Sequence, residues 1–360
     1  MMLRSPKRDA DPGDDSAKRW PLAEVLAQSW KTFPAFEDCS RVYTFHITPT
    51  LLNSGAAGLI WWRLKSVASQ LGDVLSPFEQ AYTYYTIRTA FHEAQAQRVF
   101  TFFRANAIEP VLVKGWTVGR RYPAKGLRPY GDIDLAIRES DYPKALALAA
   151  TPEARRFNLD LHKGLENLDC RGFDEVFERT QLVELGDTRV RIPSDEDLLR
   201  IVCLHLLRHG GWRPLQFCDV ALLLETRSPN FNWDICIGRS RREINWISMA
   251  IGLAHHLVGA DIEGYPYAAQ ARRVPRWMIE QVLKSWETPE PTSNAPLSYG
   301  KPMREYLRQP RGLLGALKRR WPNPIEATYA LNGSFNRLPR FPYQLAESLR
   351  RAARFLTARV

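Results

Sequence analysis

The sequence predicts an α+β fold in which a group of short strands lies between two helical regions. Apolar and polar residues alternate over residues 132–137, 157–162 and 181–192, as they do in half-buried strands. Before and after this part, apolar residues recur at helical spacing. A chain of 360 residues can form two domains or one domain with large additions. We divide it into a disordered tail (1–19), an N-terminal helical region (20–107), an α/β core (108–193), a helical domain (194–285) and a basic C-terminal extension (286–360).

The N-terminal helical region has a recognisable start. The tail before it, MMLRSPKRDADPGDDSAKR, is charged and has no apolar stretch, so we expect disorder and not a signal peptide. In the segment SPFE, Ser76 is the predicted N-cap, Pro77 the first helical residue and Glu79 the partner in a capping box. The helix is expected to continue toward residue 107.

The core contains three predicted strands and a hairpin. The first strand, VLV at 111–113, ends at a tight turn and a helix start. The turn GLRPYG leads into the second strand, DIDLAI, whose three aliphatic residues share one face and whose two acids share the other. The third strand, FNLDLH, alternates strictly. Two further alternating stretches meet at Gly186 and Asp187, which predicts a β-hairpin.

The segment after the core predicts consecutive helices. SDEDLLRIVCLHLLRHGG has an acidic start, helical spacing of its leucines and a Gly-Gly stop, and PLQFCDVALLLE follows almost at once. Helices are expected to continue to residue 285, and the Pro- and Ser-containing residues 286–300 are expected to form a linker or loop. The chain ends in AESLRRAARFLTARV, which has the pattern of an amphipathic helix.

The positive charge is concentrated at the C-terminus. Residues 301–360 hold thirteen Lys and Arg against three Glu, which accounts for +10 of the formal net charge of +11. Such a segment is either a solvated surface or a binding surface for polyanions such as RNA, nucleotide phosphates or anionic lipid. In SFNRLPRFPYQ, aromatic residues alternate with arginines, a composition found both in single-strand binding surfaces and in loops that pack on a core.

The cysteines and the apolar runs predict a cytoplasmic protein. Its five cysteines form no C-x-x-C pair, which argues against a zinc knuckle and against a disulfide framework, so a reducing compartment is expected. The longest apolar run, residues 246–260, contains two histidines and is shorter than the ~20 residues that a bilayer span requires. No membrane span is therefore expected.

The spacing of Asp132 and Asp134 is the main chemical signal. Two acids one residue apart on a strand place both carboxylates on one face, where they repel each other unless a cation neutralises them. Mg²⁺ prefers such oxygen ligands and shares them with substrate phosphates and water. The alternative is that both acids are solvated at an exposed strand end. Both are expected to be exposed to a cleft.

A predicted phosphate-binding turn lies next to these acids. Lys114 supplies a positive charge where the first strand ends, and Gly115 lets a ligand approach the backbone closely. The free N–H groups of the helix that follows are also suited to phosphate oxygens. The phosphate contacts and the metal ligands are then expected on neighbouring strands.

The motifs LVKGW, GLRPYGDIDLAI and LDLH, followed by SDEDLLRIVCLHLLRHGGW and LQFCDVALLLE, resemble a known family. It is the uncharacterised nucleotidyltransferase family of the polymerase-β-like nucleotidyltransferase superfamily, and the resemblance covers roughly residues 75–260. It implies a small mixed β-sheet nucleotidyltransferase core flanked by helices, with a helical C-terminal part that closes over a nucleotide. The wider superfamily has Gly-Ser or Gly-Gly after the first strand, where this chain has Lys114, Gly115 and Trp116.

The resemblance implies a two-metal site. Asp132, Asp134 and Asp160 are the expected metal-binding and catalytic carboxylates, with Glu184 as the alternative to Asp160 as third acid. Two Mg²⁺ ions, with Mn²⁺ as an alternative, are the expected cofactors, and an NTP such as ATP is the expected substrate.

The same resemblance implies further site residues. The expected nucleotide-binding residues are Lys114, Gly115, Arg128 and His162. Arg128 either binds a phosphate or fixes the turn through a carboxylate, and a solvent-facing arginine is the third interpretation. His162 shares a strand face with Asp160, so it can contact phosphate, donate a proton or orient the acid.

A second group of residues lies on the two helices after the core. His205 and His209 are four residues apart, a spacing that zinc sites use, but no Glu follows His205 as a zinc hydrolase motif requires. We expect these histidines and Asp219 either to form a buried contact between helices or to face the nucleotide cleft. In both cases they would surround the site and not bind the metal directly. Trp212 and Phe217 are expected in the core.

These features predict an enzyme that moves a nucleoside monophosphate from an NTP to an acceptor, with release of pyrophosphate. The acceptor is a small molecule, a sugar, a peptide or a protein. Two alternatives stay open: a nucleotidyltransferase that uses its basic C-terminal segment to bind RNA as acceptor, and a non-catalytic module that binds nucleotides or partners. The second alternative would be supported if Asp160 and Glu184 both lay far from Asp132 and Asp134.

Overall fold

The structure, a computed structural model, describes residues 21–32, 52, 55–166, 168–287 and 321–357. The predicted tail at 1–19 and most of the predicted linker at 286–300 lie outside these residues, as does the stretch 301–320 of the basic extension. Within the described part of the chain, one mixed sheet is flanked by helices, which confirms the predicted α+β fold.

The sheet has five strands in the order β3-β2-β1-β5-β4. β2 pairs in parallel with β3 and antiparallel with β1, β1 pairs in parallel with β5, and β5 pairs antiparallel with β4. β4 and β5 form the predicted hairpin around Gly186, which has the positive φ of +56° that such a turn favours. The strands are β1 (Val111–Leu112), β2 (Ile133–Ile137), β3 (Leu159–Lys163), β4 (Gln181–Leu185) and β5 (Thr188–Ile192).

The helices before the sheet end in one long helix. They are α1 (Pro21–Leu26), α2 (Ala57–Leu64), α3 (Ala68–Leu71) and α4 (Ser76–Ala105), with 3₁₀ turns at Lys65–Val67 and Gly72–Leu75. The predicted capping box of α4 is wrong. Ser76 is already helical, Leu75 is the N-cap, and the Ser76 hydroxyl accepts a hydrogen bond from Gln80 Nε2 at 3.1 Å. Pro77 still sets the start, because its fixed φ suits the first turn.

The helices between the strands are short. They are α5 (Trp116–Gly119), α6 (Tyr142–Ala149) and α7 (Phe173–Phe177), with a 3₁₀ turn at Ala154–Arg156.

The helices after the sheet form the larger part of the core. They are α8 (Asp195–Arg208), α9 (Pro214–Glu225), α10 (Trp233–Ile237), α11 (Arg241–Val258), α12 (Ala268–Ala271), α13 (Arg276–Glu287), α14 (Pro324–Ala330) and α15 (Phe341–Thr357). Ser194 is the N-cap of α8, since its hydroxyl accepts from the Asp197 N–H at 3.2 Å. No helix in this described part is both long enough and apolar enough to span a bilayer.

The two faces of the sheet bury different residues. On one face, Ile133, Leu135 and Ile137 of β2 join a core that includes Phe100 and Phe103 of α4. On the other face, Ala136 packs with Val113, with Phe173 of α7 and with Ile201 of α8. This second face is the one that carries the even-numbered positions of β2, Asp134 among them. α8 therefore packs over the face of the sheet that holds the acids.

A buried ionic cluster joins the segment after β3 to the helices. Arg200 of α8 is fully buried, and its Nε lies 2.9 Å from both carboxylate oxygens of Asp169, which is also buried. The Nη2 of Arg200 lies 2.5 Å from Glu243 of α11, and its Nη1 donates to the Ile237 carbonyl at 2.9 Å. Every one of these groups has a partner, so the cluster fixes how the sheet and the helices meet.

Replacement of Arg200 by Leu should lower the free energy of unfolding by about 3–5 kcal/mol, because it removes a partner of a buried carboxylate. Urea denaturation of the purified protein measures the change. The matched control is Arg276→Ala, which breaks an exposed pair with Glu280 and should cost about 0.5 kcal/mol or less. Equal effects of the two substitutions would show that the buried cluster does not stabilise the fold.

Candidate active site

The parallel pairing of β2 with β3 brings two acids side by side. Asp134 lies opposite Asp160 in the register, so both side chains leave the same face of the sheet. Asp134 is 2% exposed, whereas 48% of the Asp160 side chain is exposed. The expectation that the strand acids are exposed to the cleft is therefore wrong for Asp134. It is buried because α7 and α8 cover this face.

His162 lies between the two carboxylates. Its Nε2 is 3.5 Å from Asp134 Oδ1 and 3.5 Å from Asp160 Oδ2. One ligand atom from each of these three side chains falls within 4.8 Å of the others. Among the residues that the structure describes, this is the one group of three or more His, Cys, Asp and Glu side chains with such spacing. It is the candidate metal site.

Asp132 stands beside this group without being part of it. It precedes β2 directly and is half-buried. Burial raises the pKa of its carboxyl, and the negative charges of Asp134 and Asp160 raise it further, while Lys114 opposes the shift. This repulsion indicates that the three predicted acids share one neighbourhood, which a divalent cation would stabilise.

Lys114 neutralises the buried acid. Its Nζ lies 2.5 Å from Asp134 Oδ1, and 15% of its side chain is exposed. Burial alone would raise the pKa of Asp134, but hydrogen bonding from His162 and the charge of Lys114 lower it. Asp134 is thus held as a carboxylate in a nearly water-free position.

Gly115 turns the chain after β1. Its φ of +65° lies in the region that favours glycine, and the ring of Tyr130 sits 3.6 Å from the place where a Cβ would be. Its carbonyl accepts a hydrogen bond from Arg128 Nη1 at 3.1 Å. The turn that precedes the acids therefore packs directly on the turn that carries Lys114.

Arg128 is bound by a carboxylate from the helical region. Its Nε donates to both oxygens of Asp219 on α9, at 2.9 and 3.0 Å. The Tyr122 hydroxyl donates to the same carboxylate at 2.9 Å. Of the three interpretations of Arg128, the structure shows the turn fixed through an acid. Asp219 is 1% exposed, and its partners in the structure are Tyr122 and Arg128.

Glu184, the alternative third acid, lies elsewhere. It is on β4 at the edge of the sheet opposite β3, with three strands between it and Asp160, and its side chain faces solvent. Asp160 is the third acid that the geometry supports.

Comparison with known proteins agrees with this geometry. A family model described as "Uncharacterised nucleotidyltransferase" matches residues 51–151 and 148–258. The two segments overlap and together span more than half of the 360-residue chain. The chain belongs to this family. No curated protein and no solved structure matched. The matched range includes the whole sheet and helices α8 to α11, and thus every residue of the site of this nucleotidyltransferase.

A histidine pair borders the site of the nucleotidyltransferase. The rings of His205 and His209 on α8 are 4.3 Å apart. Burial lowers the pKa of His205 well below its usual value, and the charges of Lys114, Arg213 and Arg128 contribute. Burial and nearby arginines lower the pKa of His209 to about 4. Both rings are therefore neutral at pH 7, beside a group of cations.

Arg213, which the sequence analysis did not single out, lies near the candidate site. It follows the Gly-Gly turn after α8, its guanidinium lies 4.6 Å from the Trp212 ring centre, and its side chain reaches solvent. Loss of surrounding water lowers its pKa, the Asp132 carboxylate opposes this, and Arg128 adds to it. Within the described part of the chain, its guanidinium has no hydrogen-bond or ion-pair partner. Phe217 is fully buried against Trp286, as expected for a core residue.

The histidine pair predicts a loss of stability in acid. The pKa of His in an unfolded chain is near 6.5, whereas the pKa of His209 in the folded protein is about 4. The neutral His209 ring therefore contributes fully to the free energy of unfolding above pH 6.5, and this contribution is lost as the pH falls toward 4. The free energy of unfolding should therefore drop between pH 7 and pH 4.5, and less steeply in His209→Gln. NMR titration of the ring checks the cause: a His209 that is charged at pH 6 would contradict it.

Proposed function

We propose that this protein is a divalent-metal-dependent nucleotidyltransferase that moves a nucleoside monophosphate from an NTP to an acceptor and releases pyrophosphate. The observation that supports this most strongly is the in-register pairing of Asp134 with Asp160, with His162 between them. The family supports the reaction type in general. The convergence of the acids supports the metal dependence.

The donor set fits a divalent cation. Two carboxylates and one imidazole lie within 4.8 Å of one another, and the half-buried Asp132 adds a further carboxylate nearby. Mg²⁺ and Mn²⁺ both take carboxylate oxygens, and an imidazole nitrogen suits Mn²⁺ better than Mg²⁺. When bound, the ions neutralise the triphosphate and stabilise the oxygens that enter and leave during in-line attack.

The side chains divide the remaining work. Asp160 is the most exposed acid of the group, so it is the one that orients the acceptor hydroxyl and accepts its proton. His162 holds Asp160 and Asp134 at a fixed separation. Lys114, which neutralises Asp134, is placed to bind phosphate oxygens that approach this acid.

The two arginines near the candidate site, Arg128 and Arg213, have different tasks. Arg128 is a positioning residue, because its contacts to Asp219 and to the Gly115 carbonyl lock the two turns together. Arg213 has a solvent-reaching guanidinium near Asp132 that stacks on Trp212 and forms no ion pair with any residue the structure describes, so it binds the triphosphate or the leaving pyrophosphate.

The two alternative functions receive less support. In the described part of the basic extension, Arg340, Arg350 and Arg351 bind backbone carbonyls or glutamates of the same chain and are not presented to an RNA. A non-catalytic module would be favoured if both candidate third acids lay far from Asp132 and Asp134, but Asp160 lies beside Asp134. The acceptor of the proposed enzyme is a small molecule, a sugar, a peptide or a protein.

Replacement of Asp134 by Asn should reduce metal-dependent NTP turnover by a factor on the order of 10²–10³ or more, because it removes the buried charge that holds the cation. Transfer of label from an α-³²P-labelled NTP measures turnover. The matched control is Glu184→Gln at the far edge of the sheet, which should keep wild-type turnover. Full turnover in the Asp134→Asn variant would rule out the proposed site.

Replacement of Arg213 by Gln should raise the KM for the NTP about 10-fold or more, because a charge-assisted contact to phosphate is lost. The value of kcat should change much less, since the contact forms in the bound state as well as in the transition state. Steady-state kinetics separate the two, and Arg276→Gln, on the exposed side of α13, is the control. An unchanged KM would remove Arg213 from the nucleotide site.

A further inference from the structure

The last helix, α15, shows its apolar face to solvent. Phe341, Leu345 and Leu349 follow one another at four-residue spacing on one side of the helix and are 60%, 42% and 63% exposed. Helices on the surface of a soluble domain normally turn this side toward the core. The orientation of α15 is thus the reverse of the usual one.

Polar contacts on the opposite side of α15 fix this orientation. Glu347 is 3% exposed and lies 2.7 Å from Arg350 Nη2 and 2.9 Å from Arg351 Nε. Arg351 also pairs with Glu326 of α14, and Arg350 donates to the Ala330 carbonyl at 2.9 Å. Because the charged side is held against α14 by these contacts, the apolar side has to point outward.

The exposed apolar surface continues beyond the helix. Trp321 is 37% exposed and stacks on Phe341, with ring centres 5.8 Å apart, and Leu338 is 66% exposed. These two residues with Phe341, Leu345 and Leu349 are called the α15 patch below. Neighbouring large apolar side chains in this number mark a binding surface more often than an incidental exposure.

The surroundings of the α15 patch in the sequence are strongly basic. Arg337, next to Leu338, is exposed, and Lys318, Arg319 and Arg320 directly precede Trp321. Residues 301–360 carry +10 of the charge of the chain, although Arg340, Arg350 and Arg351 of this segment are held by contacts within the chain. An apolar helix face with Phe, Leu and Trp beside clustered Lys and Arg is the composition that anionic membrane surfaces attract. A protein partner without acidic residues would explain the apolar side chains but not the charge.

We propose that the α15 patch docks this protein on an anionic lipid bilayer. Phe341, Leu345 and Leu349 enter the boundary between head groups and acyl chains, and Trp321 lies at head-group level, where its ring is favoured. Arg337, together with the basic residues that precede Trp321 in the sequence, binds lipid phosphates. This is attachment to one leaflet, and it is independent of the proposed nucleotidyl transfer.

Vesicle flotation of the full-length protein tests the proposal. Wild type should float with phosphatidylcholine vesicles that contain phosphatidylglycerol, and raised salt should release it. The variant Phe341→Ser/Leu345→Ser/Leu349→Ser should bind on the order of 10²-fold more weakly, because three apolar side chains no longer enter the bilayer. The replaced side chains are exposed, so the fold should persist, which circular dichroism checks.

The chain offers a matched control for the triple variant. Tyr84, Ile87 and Phe91 form a second exposed apolar stripe, on α4, and are 54%, 66% and 61% exposed. Their replacement by Ser should leave vesicle binding unchanged. The proposal is overturned if wild type does not float with anionic vesicles, or if it floats equally well with pure phosphatidylcholine. It is also overturned if light scattering shows a dimer that the triple variant dissolves while lipid binding is absent, because a second copy would then cover the patch.

Discussion

The register between β2 and β3 is the constraint on which the site depends. Parallel pairing places Asp134 opposite Asp160 and leaves His162 two residues further along the same face. If β3 paired with β2 one residue out of this register, Asp160 and His162 would turn to the face that packs on α4. Burying a carboxylate on that apolar face is costly. The aliphatic residues of β2, which fill that other face, make such a slip unfavourable.

A second layer of contacts holds this arrangement under the helices. α8 packs over the acid face through Ile201 and carries the neutral histidine pair further along the same helix. Asp219 of α9 binds Arg128, and Arg128 binds the Gly115 turn. The result brings the carboxylates of Asp132, Asp134 and Asp160 close to the cations Lys114, Arg128 and Arg213, and such a mixture of charges suits a metal-bound triphosphate.

The sequence predicted best the features that depend on local periodicity. Alternation located the strands and paired the acids on one face, and the helix with an acidic start after residue 194 and the hairpin at Gly186 are confirmed. Long-range contacts were not readable. The burial of Asp134, its pairing with Lys114 and the approach of Arg213 depend on how the helices cover the sheet. Cap motifs also misled locally: Ser76 does not cap α4, whereas Ser240 and Glu243 form a capping box on α11.

Metal binding tests the central claim most directly, because it requires neither the acceptor nor turnover. Electron paramagnetic resonance of Mn²⁺ titrated into the protein, with a non-hydrolysable NTP analogue present, reports the affinity of the site. The account predicts that Asp134→Asn and Asp160→Asn each weaken Mn²⁺ binding by more than about 10-fold, since changes even to outer-shell groups commonly cost that much. Wild-type affinity in the Asp160→Asn variant would contradict the claim that adjacent strands jointly hold the cation.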